Sequence, residues 1–234
     1  MSILERATSG PQPKARKVLV YGGHGEGKST WAAKFPNAIF LATEEGTNEL
    51  DCTRVQLTTL EDFIGAVKEC IDSDYGTVVI DTLDWLQKIL ERHMESNQIP
   101  TDYGKGSLWI EEKFTAILRG LDKCVENGKT IVLIAHSEVR KAEDVSGNTW
   151  DQIRPRLSKR ACDTVLEWCD VVLLCKREDF VRKEKGDFGK EKTVASTAGR
   201  RVLCTQPHPA WIAKSRIKLP PTIDLNDDVQ KFLV

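Results

Sequence analysis

Residues 17 to 31 read Lys-Val-Leu-Val-Tyr-Gly-Gly-His-Gly-Glu-Gly-Lys-Ser-Thr-Trp, a short β-branched run that breaks into glycines and then into a helical pattern from Ser29 to Lys34. Few stretches constrain a chain more. A buried strand has to hand over at once to a tightly curled backbone and then to a helix opening near Lys28. The spacing Gly22-x-x-x-x-Gly27-Lys28-Ser29 fits a phosphate-binding loop, a pattern that arises by chance in about 1% of chains this long. Glycines at 22, 23, 25 and 27 let successive N–H groups converge on one anion, and the helix start adds its positive end to the same place. Gly22, Gly23, His24, Gly25, Glu26, Gly27, Lys28, Ser29 and Thr30 then surround the phosphates of a nucleoside triphosphate. Lys28 reaches the β and γ phosphates and Ser29 holds Mg²⁺.

The remaining sequence is that of one α/β domain. With 234 residues there is enough chain for a single large core, and a formal net charge of −1 means that any nucleic-acid surface must come from local clustering. Seven cysteines form no C-x-x-C pair and mostly sit in apolar segments, which points to reduced thiols in a cytoplasm rather than zinc or disulfides. Neither a signal peptide nor a membrane span is expected. Residues 1–16 suggest a flexible arm, 17–225 a single domain and 226–234 a tail.

Strands are expected at 17–21, 37–42, 77–81, 130–136 and 169–175, and helices at 60–71, 83–95, 108–126 and 161–168. Such alternation means a mostly parallel sheet with helices on both faces, whose ligands bind beyond the strand C-terminal ends. Gly22, Glu44, Asp81 and His136 all lie at or just after such an end. Residues 138–160 read as a polar, mobile segment. Residues 176–201 carry a local net of +4 around Gly186-Asp187-Phe188-Gly189, a turn signal for a C-terminal β-hairpin extension.

Each of these positions has a functional use and an ordinary one. Asp81 is the natural Mg²⁺ partner of Ser29, or else a helix N-cap. Glu44 or Glu45, with Glu44 preferred, can orient or deprotonate the water that attacks the γ-phosphate, although most such glutamates are merely solvated. His136 can sense the γ-phosphate, or sit half-buried with its nitrogens satisfied by backbone. The Asn-Lys-x-Asp element of a GTPase is absent, and no arginine-rich lid of a small-molecule kinase is evident.

Taken in order, the loop at 22–29, the glutamate pair, the strand ending in Asp81, Tyr103-Gly104-Lys105-Gly106 and Ile134-Ala135-His136 resemble the phage-encoded, Sak-type RecA-like ATPases that act as single-strand annealing proteins. The resemblance implies a RecA-like P-loop core, ATP with Mg²⁺, single-stranded DNA as ligand, a homo-oligomeric ring or filament, and possible company from a single-strand DNA-binding protein. It also implies that Lys214 and Arg216 reach the nucleotide of a neighbouring subunit, with a basic strand face as the plain alternative. By the same resemblance, loops near 96–107 and 137–160 face DNA, the second offering Arg140, Lys141, Arg154, Arg156, Lys159 and Arg160 around Trp150. His136 stands where bacterial recombinases carry glutamine. A translocating helicase and a nucleotide-gated adaptor are the alternative functions.

Overall fold

The computed structural model describes residues 3–10, 14–185, 191–228 and 230–233, with side chains except those of 3, 5, 179–185, 191–198 and 230. Strands β1 (Lys17–Gly22), β2 (Ala38–Ala42), β3 (Thr53–Gln56), β4 (Thr77–Asp81), β5 (Thr130–Glu143) and β7 (Val171–Lys185) run parallel in the order β7-β1-β5-β4-β2-β3. Strands β8 (Glu191–Cys204) and β10 (Thr222–Asp224) continue the sheet antiparallel beyond β7. This is the mostly parallel P-loop α/β class expected from the sequence, with the glycine loop at the end of a central strand.

The alternation within β1 explains why both faces of the sheet are covered. Leu19 and Tyr21 point to one side, into a core built with helices α2 (Leu60–Asp72), α3 (Leu83–Ser96), α4 (Lys105–Glu126) and α5 (Lys159–Trp168). Val18 and Val20 point to the other, against Trp31, Phe35, Leu225 and Leu233. Each such buried Leu, Val or Phe contributes on the order of 2 kcal/mol. On the second face the helices are short: α1 is Lys28–Ala32 and α6 is Gln230–Leu233. Helix α2 is capped by Thr59, whose hydroxyl oxygen accepts the Asp62 N–H at 3.1 Å. No helix among the described residues is long and apolar enough to cross a membrane.

One segment departs from expectation. Residues 138–160 are not a mobile loop, because β5 continues to Glu143 and pairs antiparallel with β6 (Thr149–Pro155) from Ser137↔Pro155 to Glu143↔Thr149. Val139, Lys141 and Glu143 point outward while Glu138, Arg140 and Ala142 are half-buried, so the two-residue strand period is present in largely polar side chains. Strand β7 also runs past the expected Cys175 and pairs with β8 as far as Lys185↔Glu191. The expected turn at Gly186-Asp187-Phe188-Gly189 lies outside the described residues.

Candidate nucleotide site

Gly22 is where the loop must begin. It pairs with His136 on one side and Cys175 on the other, and a Cβ there would sit 2.1 Å from the Cys175 carbonyl oxygen. Gly27 closes the loop with φ +89°, a conformation natural to glycine, and precedes α1. Because α1 has only five residues, the anion cradle is made chiefly by the loop's own N–H groups. Lys28 is buried and folds back over this cradle, donating to Gly22 O at 3.1 Å and Gly23 O at 2.7 Å. Burial lowers its pKa from the ordinary lysine value.

A cleft of about 440 Å³ opens above the loop. His24, Gly25, Gly27, Lys28, Ser29 and Thr30 form one wall, and Glu44, Asp81 and His136 line the same space. Thr43 ties the two carboxylate-bearing strand ends together, since its hydroxyl donates to Thr82 O at 2.8 Å and accepts the Thr82 N–H at 2.9 Å. Of the expected loop set, Glu26 is half-buried and turned from the cleft toward Arg177 at 3.6 Å. Glu45 is exposed and lines an adjoining cleft with Trp85 and Arg92, so Glu44 is the member of the pair that faces the phosphate loop.

Burial raises the pKa of Asp81, an effect partly opposed by the nearby Ser29 hydroxyl. Oδ1 of Asp81 is buried with no hydrogen-bond partner among the described residues. A hydroxyl and a carboxylate oxygen with spare capacity, side by side under a phosphate cradle, suit a hard cation, so Ser29 and Asp81 fit Mg²⁺. Burial also raises the Glu44 pKa.

Sequence reasoning missed Asp84. In the first turn of α3 it looks like an ordinary helix-start acid, yet it is buried and receives three donors. The His136 backbone N–H lies 3.0 Å from Oδ1, His136 Nδ1 3.0 Å from Oδ2, and Arg156 Nη2 2.7 Å from Oδ2. Burial alone would push this carboxyl up, but the hydrogen bonds from His136 and Arg156 win and hold it well below the usual carboxylate range. An ionised Asp84 fixes the His136 proton on Nδ1. The Arg156 N–H donates in turn to His136 O at 2.8 Å. The signal available in the sequence was Asp84 lying three residues past Asp81, one helical turn into the same strand-end cluster.

The residues expected to touch DNA are gathered on β5, β6, the short link after β6 and the start of α5, and most are paired within the chain. Arg140 pairs with Glu138 at 2.6 Å, Lys141 with Asp151 at 2.8 Å, Arg154 with Asp163 at 3.5 Å and Arg160 with Glu111 at 3.1 Å. Lys159 opens α5. Trp150 is half-buried and its indole N–H donates to Pro209 O at 2.7 Å. Lys214 and Arg216 lie toward the N-terminal end of β7, away from this chain's own cleft. Lys214 donates to Leu166 O at 2.7 Å at the end of α5, and Arg216 pairs with Asp170 at 3.0 Å.

The family model described as "AAA domain" matches residues 14–217, and the chain belongs to that family: it is a P-loop ATPase domain. No curated protein matches the sequence significantly. Among solved structures, it is similar to the flagellar accessory protein FlaH from Methanocaldococcus jannaschii, with a TM-score of 0.39 and 10% identity over 86% of this chain and 90% of that one.

Proposed function

We propose that this ATPase domain hydrolyses ATP with Mg²⁺ and uses the nucleotide to control a grip on single-stranded DNA, promoting annealing or recombination of phage DNA as a homo-oligomer in the cytoplasm. In this reading Lys28 binds the β and γ phosphates, Ser29 and Asp81 hold the metal, and Glu44 accepts a proton from the attacking water. Bound Mg²⁺ would neutralise charge on the phosphoryl oxygens. Lys214 and Arg216 would serve a neighbouring subunit, and a single-strand DNA-binding protein is a candidate partner.

One observation carries the coupling. His24 of the phosphate loop stacks on His136 at 3.9 Å between centroids, His136 is held by Asp84, and Asp84 is held by Arg156, which directly follows β6. A change at the phosphates therefore has a short contact path to the β5–β6 hairpin. Tyr103, fully exposed beside α4, offers a stacking face for an unpaired base.

The ion pairs of the hairpin favour a second reading, because cations already neutralised within the chain release fewer counterions from a phosphate backbone. In that reading the domain is a nucleotide-gated adaptor for another protein. ATP hydrolysis measured with and without single-stranded oligonucleotide, together with a low-salt mobility shift, separates the two. The DNA reading expects stimulation of turnover and a salt-sensitive shift strengthened by ATP. Unstimulated turnover with no shift at low salt would leave the adaptor.

A further inference from the structure

Arg201 stands over the phosphate loop from β8, the strand farthest in sequence from it among those that touch the loop. Its Nη1 lies 2.8 Å from where a Cβ on Gly27 would sit, and its side chain lines the same cleft as Lys28, Ser29 and Thr30. The backbone there is fixed, because the Leu225 N–H donates to Arg201 O at 3.0 Å. Across the β7–β8 ribbon Arg201 faces Arg177, the residue that approaches Glu26, and Cys175 Sγ lies 3.5 Å from Glu26 O. The base of the ribbon thus clasps the outer side of the loop.

The adjacent arginine supplies the contrast. Arg200 is tied down on Asp224 at 2.7 Å and lies 3.9 Å from Glu178. Arg201 is exposed and makes no ion pair with any described side chain. A guanidinium held against Gly27 at the edge of the loop has the fork geometry that matches phosphate oxygens. We infer that Arg201 is a second phosphate-binding cation of the nucleotide site, supplied in cis by β8 and gripping the polyphosphate from the Gly27 side. The inference rests on the nucleotide reading of the cleft and adds to it a ligand contact from the C-terminal ribbon.

The test uses the full chain with Mg²⁺ and a fluorescent ATP analogue, displaced in separate titrations by ATP and by inorganic tripolyphosphate. Wild type, Arg201→Ala, Arg201→Lys and Arg200→Ala are compared, with melting of the nucleotide-free proteins as a folding control. Loss of a charge-assisted hydrogen bond predicts that Arg201→Ala weakens both displacers about tenfold or more. Arg201→Lys should recover part of that loss, Arg200→Ala should stay within about twofold of wild type, and all melts should coincide. Equal binding of both displacers by wild type and Arg201→Ala overturns the inference while the nucleotide site stands. A loss confined to ATP overturns it too, because the contact would then be to the nucleoside. Failure of the wild type to bind the analogue overturns the nucleotide reading itself.

Discussion

His24 and His136 stack with ring centroids 3.9 Å apart and planes inclined by 30°, one ring from the phosphate loop and the other from the end of β5. Electrostatic coupling to His136, then burial, keeps His24 less basic than a free histidine. If this stack carries the nucleotide signal, His136→Asn should keep ATP binding within about threefold yet lower DNA-stimulated turnover by tenfold or more, an order typical of lost positioning. Turnover titrated with oligonucleotide checks it, and full stimulation in the variant would remove His136 from the signal path.

Asp84 anchors that stack, and its removal should cost stability as well as signalling. Asp84→Asn leaves Arg156 short of its partner and should destabilise the fold by about 3 kcal/mol at neutral pH. The sign of the pH dependence follows from the depressed pKa of Asp84. On acidification the unfolded chain takes up the proton first, near pH 3.9, so the stabilisation is complete above about pH 5 and drains as pH falls further. Denaturant unfolding of both proteins at pH 7 and pH 4 should show the gap narrowing at the lower pH.

Glu44 and Glu45 are adjacent in sequence and share one cleft, but of the two only Glu44 also lines the cleft above the phosphate loop. Glu44→Gln is expected to bind ATP normally and lose at least about a hundredfold in turnover, whereas Glu45→Gln should stay within about twofold. Because burial raises the Glu44 pKa, the acid limb of the wild-type rate profile should fall at higher pH than that of a free glutamate. Steady-state rates across pH 4.5 to 8 test the assignment; a normal rate in Glu44→Gln would dismiss it.

Tyr21 fastens the turn that precedes the short strand β9 (Lys214–Ser215) to the central strand. Its hydroxyl donates to Ile212 O at 2.6 Å and accepts the Ile212 N–H at 3.1 Å, and burial pushes its pKa well above the usual phenol value. Tyr21→Phe should lose about 1 to 2 kcal/mol and speed amide exchange at Ile212. Unchanged exchange there would mean the turn is held by other contacts.

Thiol reactivity offers a check on the core. Burial pushes Cys169 and Cys175 up to about 12 and Cys70 up to about 11, while Cys52 is half-buried. Native protein treated with an alkylating reagent at pH 8 should modify Cys52 first, with Cys70, Cys169 and Cys175 reacting only after unfolding. Peptide mapping of the labelled sites gives the order directly.

The parts of the fold and site legible in the sequence were those where one strong physical demand wrote itself into consecutive residues. Val18 to Tyr21, Val78 to Ile80 and Ile131 to Ala135 are wholly buried, so their strands read as unbroken apolar runs, and the glycine loop follows from the first of them. The β5–β6 hairpin was hidden because it projects beyond the main core and is held by pairs such as Lys141 with Asp151, so its strand period is written in charged residues. Strand β3 was hidden for a related reason: all of Thr53–Gln56 is exposed at the sheet edge. Asp84 and Arg201 escaped notice because each gains its meaning only from a partner distant along the chain, His136 for one and Gly27 for the other.

The central position of β1 has a consequence for synthesis on the ribosome. Its immediate neighbours are Ile131 to His136 on one side and Val171 to Cys175 on the other, both made long after the glycine loop has left the exit tunnel. A nascent chain therefore carries its most recognisable motif without walls around it, and the pocket is assembled late, when the C-terminal third arrives to close it.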